Sequence, residues 1–454
     1  MNARRAVVIG LGRTGIACAR TLHAEGYSVL VVDHGDDARL RELAASLPEG
    51  VQTRLGGYPD DIAVDAAIVC PSPGVPWSAR VLERAREQGV PIRTEMDLVF
   101  ERCRARMVGL TGTNGKTTTT SLVASILEHG GHRVHLGGNI GVTMLDRLGE
   151  VQAGDWVVLE LSSFQLETIQ EPASAIACVL NVTPDHLDRH GSFEAYAETK
   201  RKLVRFALDD VVLGYDDDVT RAMSAVARAR VRYFGFSSGL RDGATVVDGE
   251  LVAVDDGTAT PVMPLSEISL FGRHNVLNVL AAVAVARAAG VEPDAIRQAV
   301  LNFRAVRHRL QVVADEGGVL WVNDSKATNA ESAVVALRSF DGRPIVWIGG
   351  GMGAGTDATA LVDEVVERAR FAVLNGASRA ELERALSQRG FDARVSVETL
   401  AEALKVAKGI AKRGDVVLLA PGFKSFDQFR DFEDRGDSFI ALVHELYRVP
   451  AERA

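Results

Sequence analysis

The chain has 454 residues, 47% of them hydrophobic and 24% charged, with a formal net charge of -9. That length exceeds one ordinary domain and supplies apolar material for two or three cores. The acidic balance argues against a nucleic-acid protein, which needs a basic face, although local Lys and Arg can still hold small anions.

The first segment runs AVVIGL, GRTG, a helical pattern through Ala24, then SVLVVD ending at Asp33. Strand, glycine-rich turn, helix and strand make a βαβ unit with Gly10-x-Gly12-x-x-Gly15 at its turn. Two further strands are expected around DAAIVCPSPG and VPIRTE, closing the segment near residue 93. The glycine motif alone fits NAD binding with Asp33 on the ribose, a tight turn without a ligand, or another nucleoside diphosphate. Its physical content is only that backbone N–H groups at a helix N-terminus attract a diphosphate. Arg13 interrupts the opening apolar run and no cleavage site follows, so a signal peptide is not expected. No stretch reaches the ~18 apolar residues of a membrane span. Four scattered cysteines (Cys18, Cys70, Cys103, Cys178) lack metal spacing and read as buried hydrophobes in a reducing cytoplasm.

A central segment begins with the strand RMVGLT, the loop TGTNGKT, and a helix with Leu122, Val123, Ile126 and Leu127 on its apolar face. The standard P-loop asks for glycine where Leu110 stands. The context nevertheless suits phosphate, with Lys116 as a point charge and Thr117 as a hydroxyl ligand for Mg²⁺. Glu160, in the otherwise apolar WVVLELSS, is a carboxylate that needs a cation or strong donors, so a metal ligand is expected. His186 follows AIACVLNVT at another strand end of the same block. Lys200, in AYAETK, reads from spacing alone as a solvated helix residue. The helical pattern NVLNVLAAVAVARAAG, capped by Gly290, lies towards the end of this block. A third segment then repeats strand and helix through VLWVND, RPIVWIGGG, FAVLNGAS and DVVLLAPG, again implying a parallel sheet.

Together these stretches resemble the Mur ligases, the ATP-dependent amide-forming enzymes of peptidoglycan synthesis. The family's loop reads TGTNGKTT, which accounts for Leu110. The resemblance spans essentially the whole chain: GLGRTG, SPG at 72–74, GGNIG at 137–141, LELSSFQL at 159–166 and NVTPDHLDRH. It continues with FGRHNVLN at 271–278, HRLQVV at 308–313, NDSKATN at 323–329 and SFDQFRDFEDRG at 425–436.

The resemblance implies an α/β protein of three domains. These are a Rossmann-like UDP-substrate domain (1–93), a P-loop-type ATP domain with a parallel sheet (94–306), and a Rossmann-like glutamate domain (307–454). The implied reaction is ATP-dependent ligation of D-glutamate to UDP-N-acetylmuramoyl-L-alanine through an acyl phosphate, with ATP and Mg²⁺ as cofactors. It is expected in the cytoplasm, by a monomer with neither nucleic-acid nor membrane partners. In this resemblance Gly112, Thr113, Asn114, Gly115, Lys116, Thr117 and Thr118 form the ATP loop. Asn275 and Asn278 fall on the adenine side, and His308, Arg309, Asp324 and Lys326 close the nucleotide site. Thr117, Glu160, His186 and Lys200, the last as a carbamate, correspond to metal-site residues; Lys116, Glu160, His186, Lys200 and His308 are the catalytic candidates. Arg13, Thr14, Asp33 and Gly74 fall where UDP is held, with Asn139, Ser162 and Gln165 further along the substrate. Lys326, Thr328, Ser425 and Phe432 match the amino-acid pocket. One departure stands out: IGGGMGAGTD lacks the basic residue the family often carries there, leaving Lys424 or another residue to compensate. Two rivals fit less well. A folylpolyglutamate-type ligase lacks the N-terminal UDP-type domain, and a nicotinamide dehydrogenase would leave Lys116, Glu160 and NDSKATN idle.

Overall fold

The protein is described from a computed structural model covering residues 4–140, 143–353 and 357–447. It is an α/β protein built on three sheets of four, nine and six strands. The chain forms two compact units, Met1–Glu267 with Leu277–Asn302, and Ile268–Val276 with Phe303–Ala454.

The first unit holds two sheets. In the smaller, Gln52–Arg54, Ser28–Val32, Arg5–Ile9 and Ile68–Pro71 lie side by side, all parallel. The helix Arg13–Ala24 turns Ile16, Ala17, Cys18, Ala19 and Leu22 inward, as its apolar spacing dictates. The strand expected at VPIRTE shrinks to a single bridge between Val69 and Ile92. Pro91 has no N–H for a ladder, and Thr94 instead starts a helix, Glu95–Arg102, through a reciprocal capping box with Asp97.

The nine-stranded sheet places Arg106–Thr111 between Trp156–Glu160 and Ile176–Val179, in parallel. Beyond Trp156–Glu160 lies Val134–Gly138, and Glu160 is the register partner of both Leu110 and Gly138. Three successive strand ends therefore finish at one edge. Strands not foreseen from the sequence extend the opposite side: Asp210–Gly214, Arg230–Phe234, and two antiparallel hairpins through Gly243–Val247, Glu250–Asp255 and Thr258–Pro264. Both hairpins turn on an Asp-Gly pair with positive φ at each residue, Asp248-Gly249 and Asp256-Gly257, the geometry that matches strand twist.

The second unit carries the six-stranded sheet. Gln311–Glu316 runs antiparallel to Val319–Asn323, which pairs in parallel with Val416–Leu419, followed by Ile345–Gly349, Ala369–Leu374 and Arg394–Ser396. Trp321 and Trp347 are fully buried on opposite faces of it. Among the described residues no helix is long and apolar enough to cross a membrane.

The first glycine turn shows how tightly the βαβ unit is made. A Cβ on Gly15 would lie 1.9 Å from the Gly10 carbonyl oxygen, and a Cβ on Gly10 would meet Ser72 Oγ at 2.8 Å. The two atoms nearest a Gly15 Cβ, the Gly10 carbonyl oxygen and carbon, are backbone and cannot swing aside. Gly15→Ala should therefore lower stability by about 1–3 kcal/mol through overpacking. A melting temperature within ~1 °C of wild type by calorimetry would contradict this close approach.

Candidate active site

The glycine turn opens into a cleft of about 440 Å³ whose walls include Gly12, Arg13, Thr14, Asp33 and Gly74. The helix Arg13–Ala24 has Gly12 as its N-cap and no side-chain cap, so its first N–H groups suit an anion. A Cβ on Gly12 would meet nothing within 4 Å, which leaves room for a ligand against the backbone. Asp33 holds the turn in place. Its two oxygens accept from Leu11 N (2.8 Å) and Gly35 N (2.9 Å), pinning the turn itself. His34 stacks on Tyr58 at 4.2 Å along the same cleft.

Arg13, Thr14, Ser72, Pro73 and Val75 also wall a second cleft of about 250 Å³, so the two are continuous. It brings Asn139, Ser162 and Gln165 together. Ser162 caps the short helix Ser163–Thr168 in a capping box with Gln165. Gln165 Oε1 accepts from Ser162 N (3.0 Å) and Oγ (3.1 Å), so its NH₂ is the group it can offer outward. Asn139 Nδ2 donates to Glu160 Oε1 at 3.0 Å, and Asn139 N to the Glu160 carbonyl at 2.8 Å. Glu160 is 3% exposed, yet its Oε2 is buried without a hydrogen-bond partner. A buried half-satisfied carboxylate is costly unless a cation serves it.

Strand Arg106–Thr111 delivers the loop 112–115 beside Glu160, and the helix Lys116–His129 leaves it from Gly115 at φ +83°. A Cβ on Gly115 would sit 2.2 Å from Asn278 Oδ1, so Asn278 is seated on the loop. The loop is tied to the segment after strand Ile176–Val179 by Thr113 N to Asn181 O (2.9 Å) and Asn114 N to Asn181 Oδ1 (2.9 Å), and to the helix Phe193–Arg205 by Thr113 Oγ1 to Tyr196 OH (3.0 Å). Thr118 is buried in the first turn of the helix, with Thr117 half-buried beside it.

Lys116 Nζ donates to the carbonyls of Gly112 (2.9 Å) and Thr113 (2.6 Å). Lys200 is not solvated: it is 1% exposed, donates to the same Gly112 carbonyl at 2.9 Å, and lies 4.6 Å from the centre of the Tyr196 ring. Burial, reinforced by repulsion from Lys116, holds its ammonium well below the usual lysine range, with Asp185 pulling the other way. His186 stands exposed at φ +51°, its ring 4.9 Å from Phe164 and its N–H on Asp185 Oδ1. Among the described residues no three His, Cys, Asp or Glu side chains surround one point.

The second unit gathers another set. His308 is buried at φ +63°, its Nδ1 3.0 Å from Asn323 Nδ2 and its Nε2 3.3 Å from Asp437. Asn323 has only N–H to offer there, so Nδ1 accepts and Nε2 carries the proton. Burial lowers the His308 pKa, against the Asp437 charge. Lys326 Nζ lies 3.7 Å from the centre of the Phe432 ring, a close cation–π contact. Asn275 Nδ2 donates to Phe271 O at 2.7 Å and lines a cavity with Leu310. Arg309 and Thr328 are half-buried, and Ser425 is buried ahead of the helix Phe432–Tyr447. In the departing loop, Met352 bridges to Lys424 through the backbone and Lys424 is exposed, while 354–356 lie outside the described residues. The His34–Tyr58 pair, Tyr196 and Glu95 carry no diagnostic spacing in the sequence, and Ser72, inside SPG, shows its part only in the structure, where its Oγ donates to Gly10 O at 3.0 Å.

Comparison with known proteins identifies the family. Family profiles match in three stretches: the Mur ligase MurD-like N-terminal domain at residues 4–94, the Mur ligase middle domain at 110–286, and the Mur ligase glutamate ligase domain at 308–423. The chain belongs to the Mur ligase family and is an ATP-dependent, amide-bond-forming ligase. Its relatives include the UDP-N-acetylmuramoylalanine--D-glutamate ligase of Koribacter versatilis, 40% identical over 449 residues and 98% of each chain. The enzyme of the same name from Pelotomaculum thermopropionicum is 39% identical over 451 residues, again 98% of each. The solved structure of MurF from Acinetobacter baumannii shares the fold, with a TM-score of 0.61 at 17% identity over 97% of this chain and 94% of that one.

Asp324 yields a test of the second unit. Burial pushes its carboxyl up to about 7, against the Leu310 N–H and the Arg309 charge. An unfolded carboxyl titrates near ~3.9, so the native state binds this proton more tightly. The stability it contributes is full below the unfolded value and is lost as pH rises through about 7. Asp324→Asn, neutral throughout, should flatten the pH profile of thermal stability across that window; a profile parallel to wild type would contradict the buried protonated carboxyl.

Proposed function

We propose that this chain joins D-glutamate to UDP-N-acetylmuramoyl-L-alanine at the expense of ATP, the activity named for its full-length relatives. The observation that carries the reading is the continuous cleft of the first unit. It runs from the helix N-terminus at Arg13 to Asn139, whose amide holds Glu160, the register partner of the phosphate-loop strand. A UDP-linked substrate bound by its diphosphate at Arg13 and Thr14 would reach, past Ser162 and Gln165, towards the group that receives phosphate. In this reading the three domains are 1–93, 94–306 and 307–454, and the enzyme acts as a cytoplasmic monomer.

A carboxylate makes an amide only if its oxygen becomes a better leaving group. The alanyl carboxylate oxygen attacks the terminal phosphorus of ATP, ADP leaves, and an acyl phosphate forms. The glutamate amine then attacks the acyl carbon, loses its proton, and the tetrahedral intermediate expels phosphate. The chain's contribution is placement and charge neutralisation. Lys116 exchanges loop carbonyls for phosphate oxygens, while the amides at the helix start, from Gly115 to Thr118, cradle them. Asn275, Asn278, Arg309 and Asp324 hold the nucleoside side, and His308 orients the turn that carries Lys326. Thr328, Ser425, Phe432 and Lys326 form the amino-acid pocket.

Mg²⁺ fits the residues present. The unpartnered Glu160 Oε2 is a ligand in waiting, Thr117 supplies a hydroxyl, and His186 is an accessible imidazole. When bound, Mg²⁺ neutralises charge on the transferring phosphoryl group. Lys200 as an ammonium cannot join this set. Its buried, charge-repelled amine favours the neutral form, the one that adds to carbon dioxide, and the carbamate so formed is a carboxylate-like ligand.

Phosphate release assayed with UDP-N-acetylmuramoyl-L-alanine and a panel of D- and L-amino acids should respond to D-glutamate; a response to L-glutamate or another amino acid alone would overturn the reading. Lys116→Ala should lower turnover by roughly 10²–10³-fold or more, and near-normal turnover would remove Lys116 from the phosphate site. Lys200→Ala should recover activity in part with acetate, and absence of rescue would count against the carbamate.

A further inference from the structure

The second cleft contains one carboxylate among the described residues, Glu95. None of the roles above uses it. Glu95 is 8% exposed, and its Oε1 is buried with no hydrogen-bond partner. The side chain accepts a backbone hydrogen bond from Leu145, so one oxygen is anchored to the helix Met144–Arg147 while the other is unserved. Apolar Met96, Trp77, Phe164 and Pro73 share the cleft wall with polar Thr94, Thr143, Ser162 and Gln165. Burial accordingly pushes the carboxyl up to about 7. Native structures seldom leave a buried polar atom unserved, and one on a residue that lines a cleft asks for a ligand.

The cleft also says which kind of ligand. Its cationic end is Arg13, shared with the neighbouring cleft where the helix N-terminus faces the diphosphate. Gln165 presents a donor NH₂, and Asn139, its NH₂ committed to Glu160, presents an acceptor oxygen. In its ionised form the Glu95 carboxylate repels anions and accepts from N–H or O–H, and a bound donor favours that form. We propose that Glu95 is a specificity-determining residue of the substrate cleft, its Oε1 accepting a hydrogen bond from an N–H or O–H of the amino-sugar and alanyl part of the UDP-linked substrate. This rests on the proposed ligase reading. A site built to hydrogen-bond its substrate discriminates strongly against ligands lacking the partner, because the buried group is then left unpaired.

The test is calorimetric binding of UDP, UDP-N-acetylglucosamine and UDP-N-acetylmuramoyl-L-alanine to wild type and Glu95→Gln. Gln keeps an acceptor for Leu145 and turns a donor NH₂ towards the cleft. UDP lacks the contact and should bind both proteins alike, which also shows that the variant's cleft is folded. UDP-N-acetylmuramoyl-L-alanine should bind the variant about tenfold more weakly or worse, raising KM with kcat within about threefold of wild type. If the sugar carries the donor, UDP-N-acetylglucosamine weakens as well; if the alanyl amide carries it, that ligand is unaffected. Equal weakening of all three, UDP included, makes Glu95 a structural residue and overturns the proposal, as does unchanged binding of all three. Failure of wild type to bind UDP-N-acetylmuramoyl-L-alanine would overturn the ligase reading together with this one. Wild-type binding with an indifferent variant overturns this one alone.

Discussion

Two lysine side chains converge on one oxygen, the carbonyl of Gly112, and much of the first unit is arranged around that fact. Lys116 and Lys200 each donate to it at 2.9 Å. Two ammoniums on one acceptor repel, and in a buried setting little solvent screens them. One must lose its proton or the pair must be served by anions. The geometry distributes these answers: Lys116 begins a helix at the loop and is half-buried, while Lys200 is enclosed by Tyr196 and the loop backbone. The enclosed one is driven towards the neutral amine. A lysine that is ordinary by sequence thus becomes reactive by placement.

Parallel pairing then fixes where everything else lies. Leu110, Glu160 and Gly138 share one register across three strands, so the loop at 112, the Glu160 carboxylate and Asn139 emerge together. In parallel sheets function collects at the carboxyl ends of strands, because each crossover returns the chain to the far end. Close backbone approach locks the register: a Cβ on Gly138 would lie 2.2 Å from the Glu160 carbonyl oxygen. The GG of GGNIG is therefore as much a packing requirement as a loop signature.

What was legible in the sequence follows from how local each signal is. Buried strands announce themselves as continuous apolar runs, so RMVGLT, WVVLE and IACV were readable, as was the helix that leaves Gly115. VPIRTE misled because its apolar residues resemble a strand, whereas Pro91 and the Thr94–Asp97 cap decide otherwise. The two hairpins at Asp248-Gly249 and Asp256-Gly257 do carry a local signal, the repeated Asp-Gly of two-residue antiparallel turns. Lys200 and Glu95 were opaque for another reason. Their burial is produced by elements distant in sequence, so Lys200 stands out only through the family resemblance, and Glu95 is the last residue of VPIRTE, a run that reads as a strand.

In the second unit, two motifs more than a hundred residues apart prove to be one object, and a single arginine makes them so. Arg435 is 3% exposed; its Nε and Nη2 donate to Ser325 Oγ and O, each at 2.9 Å, and its Nη1 to Phe423 O at 3.1 Å. Ser325 Oγ in turn donates to Phe432 O at 2.8 Å, and Asn323 Nδ2 to Gly436 O at 3.1 Å. Burial pulls the guanidinium down to about 10, with the charge of Asp427 opposing, so it remains charged at neutral pH. Carbonyl and hydroxyl oxygens, rather than a paired carboxylate, satisfy it, which costs less geometric freedom than a buried ion pair demands. The consequence is that NDSKATN cannot shift without the helix that begins at Phe432. Lys326 is thereby held over the Phe432 ring, and Gly436, where a Cβ would come within 2.2 Å of His308 Nδ1, leaves the space that histidine occupies. Conversion of Arg435 to lysine would keep the charge but lose the fork that reaches three oxygens on two segments at once, so the motif's arginine is specified by geometry rather than by charge.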